Sequence, residues 1–324
     1  MTEQQISSVG MLNEYFIDEN NDRVKGFFSE PILSKEILED KLKDFDSKFS
    51  HNVSRVTARF LINKDLLETS RINMNNHIEA IIPLEGKFDN LSLVYIGRNN
   101  PDRYEDKETI LEESIMAREI SSKHKPMNYH SAIDRVKKQG YNVSIENSLS
   151  IADEERLVLV YNAAFDNKYL FDMNLENVQK LTRNKNNIKA IARNPNNVIV
   201  SIGIAEYTET NVNDISFRFA ELSDAATHPD YGSKGIYTGT CAMLMLELAR
   251  KNIDLVYGEA RACHNWVNIA CKTSGRNHYG MLHKHCKIGG VQTIHEKGPY
   301  ENLNVWAIGS VSLNNLINGE KNGI

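Results

Sequence analysis

Hydrophobic residues in the first third of the chain recur first at helical and then at strand spacing. An apolar stripe with charged residues between its members follows Ser34, which predicts an amphipathic helix with Ser34 as its N-cap. Its apolar residues are Leu38, Leu42, Phe45 and Phe49. Short apolar runs bounded by polar turns predict strands at residues 56–62, 78–84 and 91–96. Together these elements predict a small α+β unit.

The second half of the chain repeats both periodicities in a longer series. The predicted elements are helices at 153–164 and 175–181, strands at 188–193, 198–207 and 215–227, a glycine-containing loop into a helix at 238–251, a strand at 254–260, a helix at 265–273 and a strand at 302–308. We predict an α+β fold with a mixed sheet in three parts. Residues 1–19 are a flexible N-terminus, residues 20–145 are a smaller α+β domain with a helical connector, and residues 146–324 are the main domain.

The composition is that of a folded soluble protein: 324 residues are 41% hydrophobic and 25% charged, with only 7 Pro. No apolar run approaches the ~18 residues of a membrane span, and the first residues resemble no signal peptide. We therefore expect a cytoplasmic protein without a membrane partner. The net charge is −5 and no basic cluster stands out, which argues against nucleic acid as a partner.

A glycine-spaced loop leads directly from the strand at 215–227 into the next helix. The first backbone N–H groups of a helix are unpaired and lie at the positive end of its dipole, so such a junction can bind phosphate. Gly232 and Gly235 would let the backbone approach an anion, while Ser233 and Lys234 could add a hydroxyl and a charge. Two glycines before a helix are also ordinary turn chemistry. The spacing fits neither a Walker loop nor a dinucleotide fingerprint.

Residues 220–236, AELSDAATHPDYGSKGI, resemble the acetyl-CoA-binding segment of the GNAT superfamily of N-acetyltransferases. Further short segments resemble β-lysine N-acetyltransferases, namely residues 21–24, 79–83, 260–262, 268–269 and 301–306. The resemblance implies a GNAT-like acyltransferase fold for the main domain. The N-terminal domain is then either a degenerate half of the same fold or a lid that shapes the substrate site.

The resemblance further implies acetyl transfer from acetyl-CoA directly to a primary amine of a small amino-acid-like molecule, of the lysine or β-lysine type. The pyrophosphate would lie on the loop amides, and the pantetheine arm would pair with the end of the preceding strand. The residues implied in acetyl-CoA binding are Ala225, Ala226, Thr227, Gly232, Ser233, Lys234, Gly235, Ile236, Tyr237 and Thr238. The loop departs from the family pattern at Gly232, where a basic or amide residue is usual, and at Tyr237, where a small residue is usual.

The resemblance also implies roles for several polar residues. Glu221 takes the place of a catalytic carboxylate and is our candidate base, because an amine must lose a proton before it attacks. Cys271 stands where a tyrosine acid is usual, with Tyr279 as a nearby substitute. Asp224 and Glu301 are candidate substrate-binding residues. Three of these residues also have a purely structural interpretation: a salt-bridged strand residue for Glu221, a small core residue for Cys271, and a cap for Asp224.

Three alternatives remain open at the level of sequence. The acyl donor could be a longer acyl-CoA or an acyl carrier protein, or the chain could bind CoA without catalysis. A homodimer also remains open. A zinc site would have to come from Cys263, His264, Cys271, His278, His283, His285 and Cys286. These residues contain no Cys-x-x-Cys pair and are spread over a helix, a loop and a strand, so we predict no metal, and the four cysteines are expected to be reduced thiols.

Overall fold

The computed structural model describes residues 14–18, 22–49, 53–69, 77–98, 101–165, 172–286 and 300–321. The α-helices in this part of the chain are α1 Lys35–Phe49, α2 Lys64–Thr69, α3 Lys107–Lys123, α4 Tyr129–Lys138, α5 Ile151–Phe165, α6 Leu175–Arg183, α7 Ile236–Arg250, α8 Asn265–Thr273 and α9 Ser310–Lys321. The strands are β1 Glu14–Asp18, β2 Arg23–Ile32, β3 Arg55–Asn63, β4 His77–Pro83, β5 Leu91–Arg98, β6 Asn142–Ile145, β7 Asn187–Arg193, β8 Ile199–Val212, β9 Ile215–Thr227, β10 Leu255–Arg261, β11 Asn277–Cys286 and β12 Glu301–Gly309.

All of these strands belong to one sheet, in the order β1-β2-β3-β5-β4-β11-β12-β10-β9-β8-β7-β6. The pairs β2–β3 and β9–β10 are parallel, and the others described are antiparallel. Helices pack on the sheet, as in α7 against β7 and β8. This arrangement confirms the predicted α+β class with a mixed sheet.

The helix predicted to follow Ser34 in the sequence is α1. The Ser34 hydroxyl accepts a hydrogen bond from the Ile37 N–H at 3.3 Å, and all four apolar residues of the predicted stripe are buried. Phe45 packs edge-on against Phe28 of β2, whose ring stacks on Phe60 of β3. The helical spacing thus buries one face of α1 against one face of the parallel pair, as period-3.6 patterning requires.

Several elements were not predicted. Within the predicted flexible N-terminus, Glu14–Asp18 is a strand paired with β2, and residues 1–13 and 19 lie outside the described residues. Strand β11 was missed as well. The helix α4 packs against α7, and β6 pairs with β7, so residues 129–145 are integrated with elements that follow residue 146.

The sheet folds so that its two halves face each other. The ring of Phe27 on β2 lies 5.1 Å from that of Phe219 on β9, and Phe88 lies 5.0 Å from Phe217. We call these facing surfaces the inner face and the opposite surfaces the outer face. The halves join where β4 pairs with β11, and a side chain at Gly280 would come within 2.1 Å of a β4 carbonyl oxygen. Glycine is therefore required at this junction.

The two halves share one connectivity. In the first, β1 to β5 include α1 between the parallel strands and α2 after them; in the second, β8 to β12 include α7 and α8 at the same places. The strand order β1-β2-β3-β5-β4 is mirrored by β8-β9-β10-β12-β11 across the junction. We refer to β1–β5 with their helices as the N-terminal repeat, and to β8–β12 with theirs as the C-terminal repeat.

Candidate active site

The parallel strands of the C-terminal repeat separate part of the way along. They pair only from Phe219–Leu255 to Glu221–Tyr257, and neither strand pairs with the other beyond that point. The side of β9 that faces this opening therefore has no β10 partner over residues 222–227. Unpaired main-chain groups along a strand can bind an extended ligand as an added strand does. Ala225, Ala226 and Thr227, predicted to contact pantetheine, lie on this segment.

A bulge bends β9 beside the opening. Two residues, Asp224 and Ala225, stand opposite Gly203 of β8, and Asp224 adopts a φ of 44°. The hydroxyl of the buried Tyr161 on α5 donates a 2.6 Å hydrogen bond to the Asp224 carbonyl oxygen and stabilises this conformation. A bulge re-aims the backbone groups of its strand, a device common next to active sites.

The loop before α7 has the geometry of an anion site. Ser233 and Gly235 adopt positive φ angles of 60° and 73°. No backbone N–H from Ser233 to Thr238 donates a hydrogen bond to any other residue that the structure describes. These donors surround the positive end of the α7 dipole, and the side chain of Lys234 is exposed beside them. The predicted phosphate-binding residues are thus brought together in one loop.

A buried cation stands at the point where β9 and β10 separate. The Arg276 side chain donates from Nε to the Ser274 hydroxyl at 2.9 Å, and the residue is only 2% exposed. Its Nη1 lies 2.6 Å from where a β-carbon on Gly258 would be, and the Leu222 carbonyl oxygen lies 2.9 Å from the same point. Gly258 and Leu222 are the first residues beyond the last β9–β10 pair. Among the described residues, no carboxylate lies within 4.0 Å of this guanidinium.

Two of the predicted residues lie beside Arg276 on the outer face. Burial raises the pKa of the Cys271 thiol, and the Arg276 charge opposes this effect. The Tyr237 hydroxyl lies near the Cys241 and Cys271 thiols and the Arg276 guanidinium, which act on its pKa, so its ring is directed into the protein rather than toward the loop amides. Burial raises the pKa of this tyrosine well above its usual value. The Tyr237 side chain therefore lies with Arg276, whereas its backbone N–H remains one of the loop donors.

Tyr279, the substitute acid, is separated from Cys271 by the sheet. Its ring packs against the apolar core between the two halves, on the inner face, whereas Cys271 packs with Ala260 and Trp306 on the outer face. Burial raises the pKa of Tyr279. The structure therefore does not bring the two candidate acids together.

Glu221 is half of a carboxylate pair on the inner face. It lies directly across from Glu206 of β8, a residue that the sequence analysis missed. The Tyr257 hydroxyl donates to Glu221 at 2.9 Å, and the Ser223 hydroxyl donates to Glu206 at 2.5 Å. Burial tends to raise the pKa of Glu221, but the charges of Lys25 and Arg59 outweigh it and hold this pKa below its usual value.

The pKa of Glu206 is shifted in the opposite direction, to about 7. The largest cause is desolvation, followed by the negative charges of Asp224 and Glu221. The residue as a whole is exposed, but its carboxyl group lies among Ser223, Asp224 and Glu221. Two neighbouring carboxylates with separated pKa values are a typical arrangement for acid–base chemistry. Asp224, a predicted substrate-binding residue, thus lies close enough to tune this pair.

Glu301, the other predicted substrate-binding residue, is engaged elsewhere. Arg261 binds both of its carboxylate oxygens, at 2.6 Å through Nε and 2.5 Å through Nη2. The Cys263 thiol lies 3.6 Å from the same carboxylate. This bidentate ion pair satisfies Glu301 within the protein, so Glu301 does not join the group around Glu221.

The N-terminal repeat supplies two cations that the sequence analysis missed. Lys25 Nζ lies 2.8 Å from Glu259 and 3.8 Å from Glu221. Arg59 Nη1 donates to the Tyr257 hydroxyl at 2.5 Å and lies 3.9 Å from Glu221. We call this group the charged cleft; its members are Lys25, Arg59, Glu206, Glu221, Tyr257 and Glu259.

Two further observations concern ligands and location. The described residues contain no group of three or more His, Cys, Asp or Glu side chains arranged to hold a metal ion. No described helix has both the length and the apolar character needed to cross a membrane.

Structural comparison gives distant likenesses to N-acetyltransferases. The ribosomal-protein-S18-alanine N-acetyltransferase of Escherichia coli is 15% identical and covers 52% of this chain and 93% of its own, with a TM-score of 0.39. A variant of the spermidine N-acetyltransferase of Vibrio cholerae is 14% identical and covers 54% and 97%, with a TM-score of 0.41. The ribosomal-protein-alanine N-acetyltransferase of Brucella melitensis is 17% identical and covers 52% and 98%, with a TM-score of 0.40.

No protein-family model and no curated protein sequence matches the chain. At these TM-scores and identities, the structural likenesses do not establish an activity.

Proposed function

We propose that the protein is an N-acetyltransferase that moves an acetyl group from acetyl-CoA directly to a primary amine of a small amino-acid-like molecule, of the lysine or β-lysine type. The observation that supports this most is the opening between β9 and β10. It connects an anion-binding loop and a buried cation on one side of the sheet with a carboxylate pair on the other.

In this proposal, the donor binds along β9 and α7. The amides of Ser233 to Thr238 hold the pyrophosphate, and the unpaired edge at residues 222–227 binds the pantetheine arm. The thioester then lies near Leu222 and Gly258, where β9 and β10 separate.

The acceptor amine binds on the inner face, at the carboxylate pair. A free alkylammonium has a pKa of about 10, so it must lose a proton to become a nucleophile. Glu206, with its pKa near 7, accepts this proton directly or through water, and Glu221 stays ionised and stabilises the approaching cation. The amine nitrogen attacks the thioester carbon, the carbon–sulfur bond breaks, and CoA leaves as a thiolate.

The leaving thiolate requires stabilisation on the outer face. We assign this role to Arg276. It is a buried cation at the point where β9 and β10 separate, close to where the sulfur of the leaving CoA would become negatively charged. Tyr237 and Cys271 lie beside it and are candidate proton donors for the thiolate. This assignment keeps Cys271 as a candidate and puts Tyr237 in the place of Tyr279, the substitute acid of the sequence analysis.

Acetyl-CoA binding is the first property to test. Acetyl-CoA and free CoA should each raise the thermal midpoint and give a measurable heat of binding, since a ligand that binds the native state stabilises it. The Ser233→Glu variant should weaken binding at least ~10-fold, because it places a negative charge among the loop amides. Ser233→Asn is the matched control, since asparagine tolerates positive φ and carries no charge. Unchanged affinity in Ser233→Glu would remove the loop from the donor site. Binding without turnover of any amine would favour a non-catalytic CoA-binding module.

The role of Arg276 gives a separate prediction. Arg276→Met should lower kcat about 10²-fold, the loss typical when one preorganised donor is removed, and should leave the Kd of acetyl-CoA within about 3-fold. Folding should be retained, because the change leaves no carboxylate of the described residues without its ion-pair partner. Lys272→Met, in the last turn of α8 just before Arg276, is the control. Equal losses of kcat in both variants, or a fall in affinity alone, would refute the assignment.

A further inference from the structure

The surface helix α3 exposes two of its large apolar side chains. Leu111 is 57% exposed and Ile115 is 43% exposed, and both stand two residues from the buried Glu113, on the opposite side of the helix. The buried residues of α3 are Thr109, Glu113, Ala117 and Ile120, of which only Ile120 is a large apolar residue. A surface helix normally directs its apolar stripe toward the core. The outward side of α3 therefore has the composition of a face that a second surface covers.

Trp266 extends this apolar surface onto α8. Helix α8 packs against α3, and the Glu113 carboxylate acts on the pKa of the Cys263 thiol, so the start of α8 lies close to the middle of α3. Trp266 precedes the buried Asn268 by two residues, which places it on the outward side of α8, and it is 62% exposed. Single exposed hydrophobic residues are normal on a protein surface, whereas a group of them marks an interaction site. We call this group the apolar patch; its members are Leu111, Ile115 and Trp266.

The charges at the two ends of the patch indicate which partner fits it. Glu108, Leu111, Ile115 and Arg118 are all exposed and follow one another at spacings of three, four and three residues, so they form one stripe along α3. The stripe reads acid, apolar, apolar, base from its N-terminal end. It reads base, apolar, apolar, acid from its C-terminal end. An antiparallel copy of the same stripe therefore sets each acid against a base, whereas a parallel copy would set like charges against each other.

We infer that this face is a dimer interface, in which α3 pairs antiparallel with α3 of a second copy of the chain, about a two-fold axis between Leu111 and Ile115. A two-fold axis makes each contact twice. The pair thus contains two contacts of Leu111 with Ile115 and two ion pairs of Glu108 with Arg118, and Trp266 of each copy lies at the side. The apolar centre supplies the attraction, and the charged ends fix the direction of pairing. The inference does not depend on the proposed function.

Sedimentation velocity of the full chain between ~1 and ~200 µM measures the association. The contact is at the small end of the range for specific interfaces, so the wild-type protein should dimerise with a Kd of about 10 µM. Leu111→Glu should raise this Kd at least ~10-fold, because it places a carboxylate against Ile115 of the partner subunit. Leu159→Glu on α5 is the matched control, since that leucine is also 57% exposed, and it should leave the Kd unchanged. A monomer at the highest concentration, or a dimer that Leu111→Glu weakens no more than Leu159→Glu does, would overturn the inference.

Exchange of the two end charges tests the antiparallel direction. Glu108→Arg and Arg118→Glu should each raise the Kd at least ~3-fold, because each sets two pairs of like charges against one another. The double variant Glu108→Arg/Arg118→Glu should restore a Kd close to that of the wild type, since it reverses both members of each pair. Circular dichroism of each variant checks that these exposed changes leave the fold intact. Losses that add in the double variant instead of cancelling would overturn the antiparallel pairing.

Discussion

Glu206→Gln should reduce kcat/KM at neutral pH by about 10²- to 10⁴-fold, the range for loss of a general base. Glutamine keeps the shape of the side chain and can still accept from Ser223, but it cannot take up a proton. In the wild-type protein Glu206 is protonated below its pKa of about 7, so activity should fall as the pH is lowered through 7. This acid limb should disappear from the pH profile of kcat/KM in Glu206→Gln.

The neighbouring carboxylates supply the controls. Glu221→Gln removes a negative charge next to Glu206, so it should move the acid limb to lower pH instead of abolishing it. Glu209→Gln, on the same strand but in an exposed ion pair with Arg218, should change neither the rate nor the limb. Loss of the limb in Glu221→Gln with its retention in Glu206→Gln would assign the base to Glu221 instead.

Arg103→Met should lower the free energy of unfolding by about 3–5 kcal/mol, the cost of leaving a buried charge without its partner. The Arg103 and Glu79 side chains are both 0% exposed and lie 2.7 Å apart. Arg103 also donates to the carbonyl oxygens of His283 at 2.9 Å and Val56 at 3.2 Å, so it joins the two halves of the sheet. Chemical denaturation, followed by circular dichroism, measures the loss.

The pKa of Glu79 determines how the stability of the Arg103→Met variant should change with pH. Burial already raises the pKa of Glu79 against the opposing charge of Arg103, and Arg103→Met would raise it further. The protonated form of Glu79 is then the one that the folded state tolerates. Stability of the variant should therefore be highest at low pH and fall as the pH rises through the pKa of Glu79 in the folded state.

Two further variants test the cause of that loss. The double variant Glu79→Gln/Arg103→Met should be more stable than Arg103→Met, because it removes the unpaired charge. Lys123→Met breaks an exposed pair with Glu119 and should cost about 1 kcal/mol or less. A loss in Arg103→Met that is independent of pH and unchanged in the double variant would show that packing, not charge, is responsible.

The local elements were predictable where one face is apolar and the other polar. The α1 stripe was found for this reason. The strands β3, β5, β7, β8 and β9 were found as apolar segments bounded by polar turns, and β3, β5 and β7 are buried on both faces along most of their length. Strand β2 was missed because its inner face begins with Arg23 and Lys25, which breaks the apolar alternation, and β11 because histidines and a lysine occupy it. One of the two charges that conceal β2 from the sequence pattern, Lys25, is a member of the charged cleft.

The candidate site was predictable only within one strand and its loop. The phosphate loop and Glu221 lie close in sequence, so a motif could indicate them. Glu206 could also have been predicted from the sequence. The two-residue turn Asn213-Asp214 sets the register of β8 and β9, and counting back from this turn places residue 206 opposite residue 221. The contributions of Lys25 and Arg59 depend on how the sheet folds back at the β4–β11 junction, which no local pattern specifies.

The two repeats differ in whether their parallel strands separate. In the N-terminal repeat the parallel strands stay paired from Arg23–Arg55 to Phe28–Phe60, whereas their counterparts β9 and β10 separate after three pairs. A pantetheine arm can enter only where the strands separate. Under the proposed function, the two copies of one connectivity would therefore hold a single acyl donor, in the copy whose parallel strands separate.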